Sequence, residues 1–305
     1  MTTSSQPSKN LPTDTGIDAH DTAVIFEGGG MRNSYTAACV KELIDNNVEF
    51  GWVGGVSAGA SHTVNFLSSD AFRSVESFVD FAKNPSFGGL SSMLRGTGYF
   101  NAEFIYEKSA DQDLPFDYET FAHNPAQMNL SAVNALTGET VVWTRDDIKQ
   151  VEELLVRVRA SSTLPLIMPM RHIDGIPYVD GAMGESGGIV IEEAEKAGFK
   201  KFLFVGTKPR GFVRPEVKRK AGLRGFFRKY PAIAEAMIVR PARYNASKQR
   251  LLELEKQGKA QLFFPENMQV TSTERNVAKL RANYQAGKAQ MYTEWPQWKE
   301  FLAQS

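Results

Sequence analysis

Ser57 stands in Gly55-Val56-Ser57-Ala58-Gly59, a G-x-S-x-G spacing that suits a serine on a sharp strand-to-helix turn with its hydroxyl lifted clear of the fold. Glycine on either side accepts the strained dihedrals of such a turn and leaves no side chain to crowd it. Ser57 is therefore the candidate nucleophile. A serine hydroxyl needs a base within hydrogen-bond reach. The histidines, His20, His62, His123 and His172, all precede Asp180, so a triad in the chain order serine, acid, histidine cannot be built on that aspartate. His172 paired with an earlier acid remains open, although Met170-Arg171-His172-Ile173 also reads as an edge strand. Asp180, in Asp180-Gly181-Ala182 at the end of an apolar run, can take the hydroxyl proton directly in a Ser57–Asp180 dyad. It can also be a plain Asp-Gly turn.

A carboxylate with an ordinary pKa of about 4 is a weak base for an alcohol, so a dyad leans on fixed dipoles around the developing oxyanion. One such donor is worth about 3 kcal/mol. Gly28-Gly29-Gly30 offers them: a glycine loop between a strand and a helix, with backbone N–H groups free to point at an anion. The dinucleotide fingerprint fails here because Asn33 stands where its third glycine belongs, and no phosphate-binding G-x-x-x-x-G-K-[ST] loop occurs.

The elements that hold these residues read as alternating strands and helices. Ala23–Phe26 predicts a strand starting near Thr22, followed by the glycine loop and a helix over Ser34–Asp45; Val48–Val56 predicts a second strand, followed by a helix over Ala58–Leu67. Two such units in succession predict adjacent parallel strands, with the glycine loop and the serine turn at the same edge. A helix is expected over Phe72–Phe81. Residues 84–100, rich in glycine and serine with Met93, Leu94, Tyr99 and Phe100, read equally as a mobile cover or a long connection. Strands follow at Met128–Val133 and Thr140–Trp143, then a helix ending near Ala160–Ser162. A hairpin turning at Asp174-Gly175 leads into Ile176–Val179, and a short helix precedes a central strand at Lys201–Gly206. Beyond it, helices are expected around Ala246–Gln257 and Thr273–Met291, flanking a strand at Gln261–Pro265.

Composition narrows the partners. Lys plus Arg and Asp plus Glu both number 35 in 305 residues, so nothing global points to nucleic acid. Lys208–Tyr230 is the local exception: nine basic residues against Glu216 alone, interleaved with Phe212, Leu223, Phe226 and Phe227. That pattern suits an anionic membrane surface and, equally, a solvated basic face. Cys39 is the single cysteine, which excludes an internal disulfide and a cysteine-based metal cluster and reads as a small buried hydrophobe in a reducing compartment. Residues 1–20 read as a disordered tail without a signal peptide, and no apolar run spans a bilayer. The expectation is a soluble cytoplasmic protein, peripheral to a membrane if the basic stretch docks.

Gly28-Gly29-Gly30-Met31-Arg32, Gly55-Val56-Ser57-Ala58-Gly59, Asp180-Gly181-Ala182 and Ala160-Ser161-Ser162-Thr163-Leu164-Pro165 together resemble, in order, the motifs of the patatin-like phospholipase family. The resemblance runs from about Ala23 to Val205. It implies an α/β class, three-layer α/β/α fold with a mostly parallel sheet, with a tail at 1–20, a catalytic core at 21–206 and an extension at 207–305 on the same domain, similar to those of bacterial members. It implies no cofactor and no metal. The implied activity is hydrolysis of lipid esters, phospholipid or acylglycerol, through an acyl-serine. Ser57 and Asp180 are then the catalytic pair, Gly28, Gly29 and Gly30 the oxyanion hole, and Arg32 a loop-fixing or electrostatic auxiliary. Acyl transfer to an alcohol would use the same residues. A silent lipid-binding protein is the remaining alternative, which intact Ser57 and Asp180 disfavour.

Overall fold

The computed structural model describes residues 16–109 and 114–304. Strand β1 (Ile17–Phe26) leads through a 3-10 turn into α1 (Asn33–Asp45), and β2 (Val48–Gly55) leads through the serine turn into α2 (Ala58–Leu67). The short helices α3 (Ala71–Glu76), α4 (Leu90–Leu94) and α5 (Tyr118–His123) precede β3 (Gln127–Asn134), β4 (Thr140–Trp143) and α6 (Val151–Ser161). The hairpin β5 (Arg171–Ile173) and β6 (Ile176–Asp180) is followed by α7 (Ile191–Lys196) and β7 (Lys201–Val205). The chain closes with α8 (Lys220–Phe226), α9 (Pro231–Lys256), β8 (Ala260–Phe263) and α10 (Val277–Ala303).

These strands form one sheet in the order β5-β6-β3-β2-β1-β7-β8, with β4 paired to β3. The pairs β1–β2, β1–β7, β2–β3 and β7–β8 are parallel, and β4, β5 and β6 run antiparallel to their neighbours. Because successive strand residues face opposite sides, the continuous apolar runs of β1 and β7 serve two cores. Val24, Phe26, Leu203 and Val205 pack with Cys39, Leu43, Val64 and Trp298 on one face. Ala23, Ile25, Phe202 and Phe204 pack with Ile191, Ala194, Tyr244 and Leu251 on the other. The result is a three-layer α/β/α fold. Cys39 is fully buried in the first core, and that burial pushes its thiol pKa well up, as expected of a packing residue.

Several boundaries differ from the sequence expectation. Strand β1 starts at Ile17, so residues 17–20, expected in the tail, are corrected to sheet; residues 1–15 of that tail lie outside the described residues. Ile17 and Ala19 pair with Val48 and Phe50, while Asp18 and His20 stay exposed. Polar residues on the solvent side hid the strand. Helix α9 is 26 residues long and begins fifteen residues before Ala246, because Pro241 inside it breaks the local pattern of a continuous helix. The segment from 207 onward also completes the sheet, with β8 paired along β7. Its α10 reaches α1: Asn283 Nδ2 donates to Ser34 Oγ at 2.9 Å and Tyr35 Oη to Gln290 Oε1 at 2.6 Å. No helix among the described residues is long and apolar enough to cross a membrane.

Candidate active site

Phe26 of β1 and Gly55 of β2 are paired across the parallel ladder, so the glycine loop and the serine turn leave the sheet side by side. Ser57 adopts φ 57° and ψ −131°, a backbone conformation that ordinary side chains avoid at a cost of about 1–3 kcal/mol. The strain is held from two directions. Its N–H donates to the carbonyl of Ser161 at 3.1 Å and to Ser161 Oγ at 3.2 Å, and α2 begins immediately behind it. Gly28 is needed for closeness: a Cβ there would stand 2.9 Å from Ser57 Cβ and 2.7 Å from the Val56 carbonyl oxygen. The loop and the nucleophile turn are therefore in backbone contact.

The loop's own N–H groups divide into spent and unspent. Glu27 N–H donates to Val205 O, Met31 N–H to Ser272 O and Arg32 N–H to Gly29 O. Those of Gly28, Gly29 and Gly30 make no hydrogen bond to the protein among the described residues. Gly30, at φ 56°, turns the chain into the helix. Asn33, the residue that spoiled the dinucleotide fingerprint, is fully buried and donates from Nδ2 to the Glu27 carbonyl at 3.1 Å, tying the loop's entrance to its exit. Glu27 fixes the other side: its Oε2 accepts from Thr207 N–H at 2.5 Å and its Oε1 from Tyr244 Oη at 2.8 Å.

Asp180 ends β6 and is fully buried. Its N–H donates to Thr163 O at 2.8 Å and its Oδ1 accepts from Ala182 N–H at 2.8 Å. Oδ2 has no partner within hydrogen-bond geometry among the described residues. Burial raises the carboxyl pKa, opposed first by the charge of Arg240, then by the facing Ser57 hydroxyl, the Ala182 N–H and Arg214. Ser57 and Asp180 line the same chamber. One segment positions both: Ser161 accepts the N–H of Ser57, and Thr163 accepts the N–H of Asp180.

Two chambers meet at Ser57, sharing Gly30, Ser57 and Leu164. The first is apolar, walled by Phe78, Phe81, Phe87, Phe100, Val158 and Met168. Phe87 and Phe100 come from the 84–100 stretch, where Gly88 bridges to Phe100. The second is polar and contains Glu27, Asp180, Arg32, Lys208, Arg214 and Arg240. Sequence reasoning brought Ser57, Asp180, Gly28, Gly29, Gly30 and Arg32 to one place, and the structure collects all six around these chambers. It missed Glu27, Arg240 and Tyr244, each brought in by tertiary packing with no local motif to mark it.

The histidines stand apart. His172 is exposed on the edge strand β5, paired with Pro177, and lines neither chamber. His62 is fully buried between Phe26 and Phe78, contacts Thr36 Oγ1 at 3.0 Å, and is pushed down to about 3 by burial, which keeps it neutral. The basic stretch divides. Lys208 and Arg214 turn into the polar chamber, Phe227 is buried, and Phe226 stays 68% exposed.

Comparison with known proteins gives a family model described as patatin-like phospholipase over residues 24–190 and a second, a domain of unknown function, over residues 230–303. No curated protein matches. Solved structures that match include the crystal structure of VipD from Legionella pneumophila, 11% identical over 91% of this chain and 77% of that one, with a TM-score of 0.39.

Proposed function

The chain belongs to the patatin-like phospholipase family of ester hydrolases, and from that premise we propose that it is a serine lipid acyl hydrolase working through a Ser57–Asp180 dyad. The observation that carries this reading is Asp180 Oδ2, a buried carboxylate oxygen with no hydrogen-bond partner among the described residues, in the same chamber as the strained Ser57, which stands at the mouth of an apolar one. The acyl chain lies in that chamber, where each buried methylene contributes about 0.8 kcal/mol.

Ser57 Oγ attacks the ester carbonyl carbon while its proton passes to Asp180 Oδ2. The raised pKa of Asp180 suits this, since it makes the carboxylate a stronger base than an ordinary one. The carbonyl oxygen becomes an oxyanion facing the unspent N–H groups of Gly28, Gly29 and Gly30. Collapse breaks the ester C–O bond, the leaving alkoxide takes the proton back from Asp180, and an acyl-serine remains. Water then attacks the acyl carbon, gives its proton to Asp180, and the second collapse frees the fatty acid and returns the proton to Ser57 Oγ.

Lipid reaches the site from the face carrying α8. Met93, Leu166 and Phe226, 45%, 52% and 68% exposed, line one groove, and Met168 of that groove also walls the acyl chamber. With Lys218, Arg219, Arg228 and Lys229 flanking α8, this face suits an anionic membrane surface. A fluorophosphonate probe tests the nucleophile: mass spectrometry is expected to find the adduct on Ser57 and none in Ser57→Ala. Full labelling at another residue would contradict the assignment.

A further inference from the structure

The polar chamber beside Ser57 holds more positive charge than acyl hydrolysis requires. Arg32, Lys208, Arg214 and Arg240 line it together, and none of the four makes an ion pair with a carboxylate among the described residues. Glu27, the nearby acid, is occupied by Thr207 N–H and Tyr244 Oη. Among the described residues, the Nε atoms of Arg32 and Arg214 are buried without a hydrogen-bond partner, and Arg240 donates only Nε, to the Gly187 carbonyl at 3.2 Å. Burial first, and neighbouring cations after it, lower the proton affinity of Arg32, Lys208 and Arg240. Burial first and Arg214 second push Arg240 down to about 10, and Lys208 is lowered by burial, then by Arg32 and Arg214.

Like charges gathered without counter-ions would separate if their supports allowed it, and these supports are firm. The guanidinium of Arg214 lies 4.4 Å over the Tyr244 ring, and its backbone is clamped by Asn245, which accepts its N–H at 2.8 Å and donates to its carbonyl at 3.0 Å. Lys208 Nζ lies 4.6 Å over the Phe212 ring. Arg240 is carried by α9 itself. Lys208, Arg214 and Arg240 all fall outside residues 24–190, so this wall is supplied by the C-terminal third of the chain and not by the matched family region.

We propose that the chamber is a phosphate site that selects lipid esters whose head group is a phosphate monoester. Four cations face two carboxylates there, Glu27 and Asp180, an excess of two formal positive charges that a dianionic monoester neutralises. A zwitterionic head group would neutralise less and bring a cation among the arginines. Planar guanidinium forks match phosphate oxygens in pairs, which favours this anion over a compact halide. Leu164 and Ser57, shared by both chambers, put the ester between the phosphate and the acyl chain. The assignment rests on the acyl-hydrolase reading and names its substrate class.

The test has a binding arm and a substrate arm. Inorganic phosphate at a hundredfold excess over its Kd is expected to raise the Tm of wild type and of Ser57→Ala by roughly 4 °C and to leave an Arg214→Gln/Arg240→Gln double variant unmoved. Fatty acid release from phosphatidic acid in mixed micelles is expected to exceed that from phosphatidylcholine by about tenfold or more in wild type, the discrimination of one lost charge-assisted contact. In the double variant the ratio is expected to fall toward one. An equal phosphate shift in the double variant overturns the site. A shift that needs Arg214 and Arg240, with no preference for phosphatidic acid, identifies a free-phosphate site and overturns the head-group assignment. If the double variant does not fold, Lys208→Gln replaces it with a smaller expected loss in both arms. Failure of the hydrolase reading is separately visible, as phosphate stabilisation of Ser57→Ala alongside wild type that releases acid from no ester.

Discussion

In the proposed mechanism Asp180 carries both the chemistry and a cost. Its pKa is raised chiefly by burial, so the folded protein holds the carboxyl proton more tightly than the unfolded chain, whose value is near 3.8. The linked stability is fully present below that unfolded value and is lost as pH rises through the folded pKa, which leaves wild type less stable at neutral pH. Asp180→Asn keeps an oxygen for the Ala182 N–H and removes the charge. Thermal melts are expected to give it a higher Tm than wild type at pH 7, with the difference shrinking as pH falls toward 4. A lower Tm at pH 7 would mean that Arg240 and Arg214 outweigh desolvation. At this scale the sequence was most legible where chemistry is local: the glycines around Ser57 and the glycine loop announce their backbone demands. Asn33 was visible only as a broken fingerprint, because its role, a bond to the Glu27 carbonyl, depends on how the loop closes.

Secondary-structure elements were readable where the apolar pattern was unbroken, as in β2, β7 and the second half of β1, and misread where it was masked. Pro241 concealed most of α9, and with it the placement of Arg240 and Tyr244 against the site. The basic stretch read as one surface; instead Asn245 and Tyr244 pull Arg214 inward, and α8 is left outside with Phe226. Helix α8 and its flanks are the membrane-facing candidate. Co-sedimentation with phosphatidylserine vesicles is expected for wild type, weakening between 0.1 M and 1 M salt as the Debye length falls from about 10 to about 3 Å. Phe226→Asp is expected to lose most of the binding. Pelleting that ignores both salt and Phe226→Asp would contradict a role for this face.

At the scale of the whole molecule, the C-terminal third is what makes the site complete. β8 extends the sheet, α10 bonds to Ser34 and Tyr35 on the helix behind the glycine loop, Ser272 accepts the Met31 N–H, and Tyr244 holds Glu27. Apart from the β7–β8 pairing, each of these contacts joins residues more than 200 apart, and no local pattern encodes such a pairing. The α/β/α layering was legible because strand period and glycine turns are local; the second chamber was not, because its walls arrive from α9 and the segment before α8. The dyad remains the central claim. The most direct measurement is the initial rate of hydrolysis of a short-chain p-nitrophenyl ester by wild type, Ser57→Ala and Asp180→Asn, each shown to be folded. Turnover by wild type with at least a thousandfold loss in both variants is expected, about 4 kcal/mol of transition-state stabilisation. An Asp180→Asn protein that keeps the wild-type rate while Ser57→Ala is inactive would show that another base serves the serine.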